Sequence, residues 1–328
     1  MNIPTPADIL AAADQLAPYL GRPTPLYRSA ALSELLDADV WLKVETTGPI
    51  ASFKLRGALN ALLMASGKPA SAVTASTGNH GQGVAYAARL LGLGSDIFVP
   101  EGCVAEKLAA IRRFGGRLFI GGSDIDAAKE NARHHAAETG GEFVDDGESG
   151  PLIAGAATAG LEIGQGLADI DAVLVPMGSG SLAAGTGLGV KIHQPQARVW
   201  AVQSEGAPAM VDSYHARRPV ERDIHTIGDC IVCRVPAKLA LAGLLESVDD
   251  AFLVPEASLL PAVQTAAIAG RVLVEPGAAA GLAGAWHRRD QIKGRRIVIL
   301  LTGANGSAAL LQQAMAGPDL RNFTRSSG

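Results

Sequence analysis

Cysteine is scarce: the 328 residues hold three, Cys103, Cys230 and Cys233. That is too few for a disulfide-stapled secreted domain. Cys230 and Cys233 form a CxxC, yet a structural zinc site needs about four ligands, and there is no second CxxC and no HxxxH pair. His134 and His135 are adjacent in a helical pattern, so they point in different directions. Core or loop cysteines are expected, and no metal ligand is assigned. Aromatic residues make up only 4% while glycine reaches 39 residues, so small side chains must do much of the packing. Excess charge is also missing: the net charge is −4 and neither sign forms a long block. This excludes a nucleic-acid stripe and a cationic membrane-surface segment.

Long apolar runs are nearly absent. Residues 172–190 lack any charge and are nearly long enough to span a bilayer. They also contain Pro176 and five glycines (178, 180, 185, 187 and 189), so a buried strand, a turn and a helix start are expected. The N-terminus MNIPTPADIL has no basic-then-apolar signal pattern, which predicts a cytoplasmic protein.

What the chain does have is alternation of strand and helix patterns. Strands are expected over 40–44, 72–75, 96–99, 117–120, 172–175, 199–202 and 296–301. Helices are expected over 53–65, 82–91, 105–114, 125–139, 152–166, 263–269 and 278–286. Such alternation implies an α/β fold with mainly parallel twisted sheets flanked by helices. Ligands of such sheets bind where strand C-termini open into loops. The composition shift near residues 145–151 marks a domain boundary. A large domain of 1–66 and 151–328 and a small domain of 67–150 are expected.

Three strand exits carry polar, glycine-rich turns. In TASTGNHGQG, Ser76, Thr77, Gly78, Asn79 and His80 offer hydroxyls, an amide and unhindered N–H groups just before a helix. That suits a carboxylate or another small anion, and it equally suits a polar turn that caps the helix. In VPMGSGSLAAGTG, Gly178 and Gly180 bare the backbone, Ser179 and Ser181 add hydroxyls, and Leu182 enters a helix. A phosphate fits such a helix start. The same stretch also matches a short dinucleotide pattern (Gly178, Gly180, Ala183) with Glu205 beyond the next strand, which keeps a nicotinamide oxidoreductase as a remote alternative. In LLTGANGS, Thr302 ends an apolar strand and points a hydroxyl into the same crevice. ASFKLRG supplies a lysine, Lys54. One lysine, one carboxylate-type turn and one phosphate-type turn point to a carbonyl cofactor with a phosphate handle, pyridoxal phosphate, linked to the lysine as a Schiff base.

The chain resembles the threonine/serine dehydratase and serine racemase family of fold-type II pyridoxal-phosphate enzymes. RPTPLYRSAALSELLDADVWLKVE, SFKLRGALNAL, STGNHGQGVAYAARLLG, VPMGSGSL, VLVEPGAAAGLA and LLTGAN follow one another in the family's order. The resemblance implies a cofactor in the cleft between the two domains. It implies that Lys54 is the Schiff-base lysine with Phe53 packed beside the cofactor. It further implies that Asn79 bonds the phenolic oxygen, Ser76 to His80 bind the substrate carboxylate, Gly178 to Leu182 cup the phosphate, and Thr302 faces the pyridine nitrogen. Glu275 matches a glutamate near the site. The implied activity is β-elimination from a small β-hydroxy amino acid such as threonine or serine, in which Lys54 takes the α-proton and a 2-oxo acid and ammonia result. A neutral Thr302 would favour loss of the β-substituent over transamination. A homodimer is expected, and no appended regulatory domain.

Departures from the family pattern keep alternatives open. Ser179 and Ser181 interrupt the usual glycine cup, Ile50-Ala51 fill a stretch that usually holds glycine, and Cys230 stands where glycine is common. Gln203 replaces a glutamate that helps bind a divalent ion in metal-activated members, with Glu205 nearby, so activation by a divalent metal is left open. Thr77 either acts as an acid/base opposite the lysine, giving racemase activity, or only binds the carboxylate. A hydroxyaspartate dehydratase and a β-replacement synthase remain same-fold alternatives.

Overall fold

The computed structural model describes residues 2–103 and 105–323. Every strand expected from the apolar runs forms. In chain order the strands are β1 (Leu26–Arg28), β2 (Asp39–Val44), β3 (Ser71–Ala75), β4 (Gly94–Val99), β5 (Arg117–Ile120), β6 (Glu142–Phe143), β7 (Ala172–Pro176), β8 (Arg198–Ser204), β9 (Asp250–Val254) and β10 (Arg296–Leu301). They build a six-stranded sheet of order β1-β2-β10-β7-β8-β9 and a four-stranded sheet of order β5-β4-β3-β6. Only β1 pairs antiparallel; every other ladder is parallel. The strands buried on both faces are continuous apolar runs, such as β7 and β10, as parallel sheets require.

The helices that position the site are α1 (Pro6–Leu20), α2 (Ala30–Leu36), α3 (Lys54–Leu63), α4 (Asn79–Leu90), α5 (Ala105–Arg113), α6 (Ile125–Thr139), α7 (Gly150–Gly166) and α8 (Ser181–Val190). Small residues do the packing between them. A Cβ at Gly189 would lie 2.2 Å from the Ala157 carbonyl oxygen, and one at Gly155 would lie 2.4 Å from the Arg56 carbonyl oxygen. Helices α7, α8 and α3 therefore touch backbone to backbone, which no larger residue allows. The charge-free stretch 172–190 is β7, a turn and α8, and no helix among the described residues is long and apolar enough to cross a membrane.

Helix α4 starts at Asn79, three residues before the expected 82, because the polar turn residues themselves begin the helix. The expected helix over 263–269 runs instead over Leu259–Ile268, and that over 278–286 is a 3-10 turn, Gly277–Ala279, followed by Ala280–His287. His135 turns inward to Asp96 at 3.0 Å and His134 outward to Glu138 at 3.7 Å, as adjacent helical positions must.

Candidate active site

The exits of β3, β7 and β10 open into one cleft with two adjoining lobes. One lobe is lined by Phe53, Lys54, the 176–180 turn and Thr302; the other by Lys54, the 75–80 turn, Glu275 and Asn305. Asn79, Asp146 and Cys230 line both.

Lys54 is the first residue of α3 and is delivered by a segment laid along the end of β10. The Phe53 N–H donates to the Thr302 carbonyl at 3.1 Å, the Ala304 N–H donates to Ala51 at 2.9 Å, and Ser52 bridges Gly303. This ladder places the lysine beside Thr302, 248 positions away in sequence. Ala51 sits at φ +49°, the left-handed region where glycine is easiest, so alanine here holds the bend at some strain. Gly83 of α4 lies so close that a Cβ would meet the Lys54 carbonyl carbon at 3.1 Å. The Lys54 side chain is 11% exposed, its Nζ is 5.0 Å from the Phe53 ring centre, and it forms an ion pair with Asp146.

The turn after β3 leads into α4. The Gly78 N–H donates to Ser76 Oγ at 3.2 Å, and Thr77 is half-buried on the wall of the second lobe. Asn79 is held from both ends: its Nδ2 donates to Glu275 Oε1 at 2.7 Å, and its Oδ1 accepts from Asn305 Nδ2 at 2.7 Å. Asn305 in turn donates to the Ile50 carbonyl at 2.8 Å, next to the lysine segment. His80 is buried, with Nε2 3.0 Å from the Val144 carbonyl oxygen.

Glu275 is 2% exposed. Burial drives its pKa from 4.5 up to about 7 and Asp229 adds to this, while hydrogen bonds from Asn79, Asn305 and Cys230 act the other way. A carboxyl whose pKa is raised in the folded state stabilises fully below the unfolded value and loses that contribution as pH rises to the folded one. Between about pH 4.5 and 7, wild-type stability is therefore expected to fall by about 3 kcal/mol relative to Glu275→Gln. Urea unfolding of both proteins across this range checks it; parallel curves would show that Glu275 is ionised throughout.

The turn after β7 opens at Gly178, where a Cβ would lie 3.0 Å from Ile231 Cα, and passes through Gly180 at φ +95°. Glycine is required at both positions, one for close approach and one for conformation. Ser179 and Ser181 occupy positions that carry side chains without strain, and their hydroxyls lie 3.4 Å apart at the start of α8. Bare N–H groups, two hydroxyls and a helix N-terminus fit the phosphate of pyridoxal phosphate. Leu182 is buried behind the turn, and Thr302 is 5% exposed in the same lobe.

Asp146 was not singled out from sequence. It sits in the loop after β6, which Glu148 staples to the first N–H groups of the helix Lys238–Ser247 through Lys238 and Leu239. Burial opposes its ionisation, but the charge of the Lys54 ammonium and its hydrogen bond outweigh this and hold the carboxyl well below the usual range. Its Oδ1 accepts from Ser181 Oγ at 3.4 Å. The sequence shows there only a pair of acids, Asp145 and Asp146, separated from β6 by one residue, which does not by itself mark a site.

Cys230 does line the cleft, and burial first, then Glu275 and Asp229, pushes its thiol up. Cys233 is pushed up to about 12, mainly by burial, and the two form no disulfide. Ligand atoms of Asp229, Cys230 and Glu275 come within 4.8 Å of one another on the wall of the second lobe. Gln203 is fully buried and accepts from the Val211 N–H at 3.1 Å, whereas Glu205 is exposed and lines neither lobe.

Residues 18–303 match the family model for pyridoxal-phosphate dependent enzymes. The chain is 32% identical over 285 residues to L-threonine ammonia-lyase of Thermotoga maritima, covering 86% of this chain and 71% of that protein. It is 32% identical over 287 residues to the biosynthetic L-threonine dehydratase of Haemophilus influenzae, of which it spans 56% (86% of this chain). It is 29% identical over 308 residues to L-threo-3-hydroxyaspartate ammonia-lyase of Saccharomyces cerevisiae, covering 93% and 94% of the two chains. The structure of processed threonine deaminase isoform 2 from Solanum lycopersicum superposes with a TM-score of 0.88 at 29% identity, over 97% of this chain and 92% of that one.

Proposed function

The chain belongs to the pyridoxal-phosphate dependent enzyme family, of fold type II, and from that premise we propose that it is an ammonia-lyase acting on a small β-hydroxy amino acid such as threonine or serine. The net reaction converts threonine into 2-oxobutanoate and ammonia, the water lost from Cβ and Cα being regained on hydrolysis. One observation carries this reading. Lys54, the anion-type turn of 76–80 and the glycine turn of 178–182 line adjoining lobes of a single cleft.

In this reading Lys54 Nζ is the covalent attachment point, and Phe53 packs beside the ring. The N–H groups and hydroxyls of Gly178, Ser179, Gly180, Ser181 and Leu182 hold the phosphate. Thr302 faces the ring nitrogen, and Asn79, fixed by Glu275 and Asn305, holds the phenolic oxygen. Bound pyridoxal phosphate supplies an electron sink for the charge left at Cα. Ser76, Thr77, Gly78 and His80 orient the substrate carboxylate, and the freed Lys54 amine takes the α-proton. We take residues 1–66 with 151–328 as the large domain and 67–150 as the small one, matching the two sheets that flank the cleft.

The test is direct. Holoenzyme incubated with threonine or serine is expected to release 2-oxo acid and ammonia in equal amounts. The absence of oxo acid from every β-hydroxy amino acid tried, with cofactor bound, would overturn the reading. Chiral analysis of the recovered substrate in the same reactions tests the racemase role of Thr77. Retention of configuration leaves that residue as a carboxylate ligand only.

A further inference from the structure

The second lobe of the cleft is electrostatically one-sided. Of the ionisable side chains that line it, Asp146, Asp229 and Glu275 are carboxyl groups, Glu275 with its pKa raised to about 7, and Lys54 is the one amine; no arginine lines it among the described residues. Under the proposed function, Lys54 is committed to the cofactor and the turn at 76–80 to the α-carboxylate. Asp146, a carboxylate on the wall shared by both lobes, is then left without the ammonium that pairs with it in the cofactor-free protein. Lys129 and Arg133 pair with the neighbouring Asp145 at 2.8 Å and 2.9 Å and line neither lobe, although the charge of Lys129 still reaches Asp146.

His80 makes the same demand. Its Nε2 faces a carbonyl oxygen, which can only accept, so Nε2 carries the hydrogen. Burial, the largest influence on the ring, favours its neutral form. Nδ1 is therefore a lone-pair acceptor, and it has no partner among the described residues although His80 is 5% exposed. The lobe therefore has a carboxylate on its wall and, on another residue that lines it, a buried nitrogen acceptor without a partner among the described residues. A second carboxylate would meet Asp146 as a like charge. A methyl group would leave both acceptors unanswered. An ammonium brings three donors and the opposite charge.

We infer that the substrate is a β-hydroxy α-amino acid bearing an ammonium group beyond Cβ, recognised by Asp146 and His80. This rests on the ammonia-lyase reading but names a narrower class than threonine or serine, and it opposes a dicarboxylic substrate. The smallest member is 2,4-diamino-3-hydroxybutyrate.

Binding tests it independently of turnover. Three analogues lack the hydroxyl that leaves: 2,4-diaminobutyrate, 2-aminobutyrate and aspartate, each supplied as a racemate. Calorimetric titration into the holoenzyme is expected to show 2,4-diaminobutyrate binding at least about tenfold tighter than 2-aminobutyrate, with aspartate weakest. In Asp146→Asn the first ratio is expected to fall below about threefold. Aspartate binding as tightly as 2,4-diaminobutyrate, or an unchanged ratio in the variant, overturns the inference. If Asp146→Asn does not fold, the wild-type ranking alone decides. Turnover separates this from the parent reading: oxo acid from threonine with the opposite binding order sinks only the cationic substrate. The expected binding order with no oxo acid from any hydroxy amino acid sinks only the lyase.

Discussion

Lys54→Ala is expected to remove the lysine-linked absorbance of the bound cofactor and to lower turnover by about 10⁴-fold or more. The size follows from two roles that fall on one atom. Under the proposed function Nζ is both the attachment point and the base that takes the α-proton, and Lys54 lines both lobes. Lys43 cannot substitute, because its side chain is 1% exposed and locked to Glu162 and the Thr24 carbonyl. The fold is expected to survive: the segment 51–53 is held to β10 by backbone bonds that do not involve the side chain, and Asp146, at 23% exposed, can be solvated when its partner goes. Spectra before and after borohydride, with mass spectrometry of the reduced protein, check the assignment. A cofactor adduct still formed on Lys54→Ala, mapped to another lysine, would refute it.

The parts of this site that could be read from sequence are those carried by a local pattern. Gly178, Gly180 and Thr302 follow apolar strands, so their positions at sheet exits were legible from periodicity and turn chemistry. Asn79 and His80 were legible as polar turn residues but were placed outside the helix they begin. A run of Gly-Asn-His-Gly reads as turn chemistry, yet it is the first turn of α4, where Gly81 and Gly83 pack closely on the backbone of Ser76 and Lys54. Asp146 was not legible, since it meets Lys54 across 92 positions and its loop, DDGESGP, looks like any solvated connection. Glu275 came only through resemblance: its link to Asn79 spans 196 positions. Chemistry assembled from distant loops has no period to betray it.

The arginine of ASFKLRG belongs to this second kind, and its removal is expected to have the largest effect on stability. Arg56, 4% exposed, donates to Glu45 at 2.8 and 3.0 Å, to Glu162 at 2.7 and 2.9 Å, to Thr158 Oγ1 at 3.0 Å and to Thr24 Oγ1 at 3.1 Å. Lys43 completes a set of two cations and two carboxylates that ties α3, which begins with Lys54, to β2 and α7. Arg56→Met fits the space but leaves the buried Glu45 and the half-buried Glu162 facing one ammonium. Breaking such a cluster on one side costs about 3–5 kcal/mol, far more than the intact cluster contributes over an apolar substitute. Arg56→Lys keeps the charge but loses the planar fork, so a smaller loss is expected. The pH dependence separates a charge effect from a packing effect. Burial opposes ionisation of Glu162, but Arg56 and then Lys43 outweigh it and depress its pKa. That contribution is present above the unfolded carboxyl range of about 4.3 and disappears as pH falls through the lower folded value. The deficit of Arg56→Met is therefore expected to be greatest near neutrality and to shrink steadily below about pH 4 in urea unfolding. A deficit that stays constant to low pH would mean that Arg56 acts only by filling space.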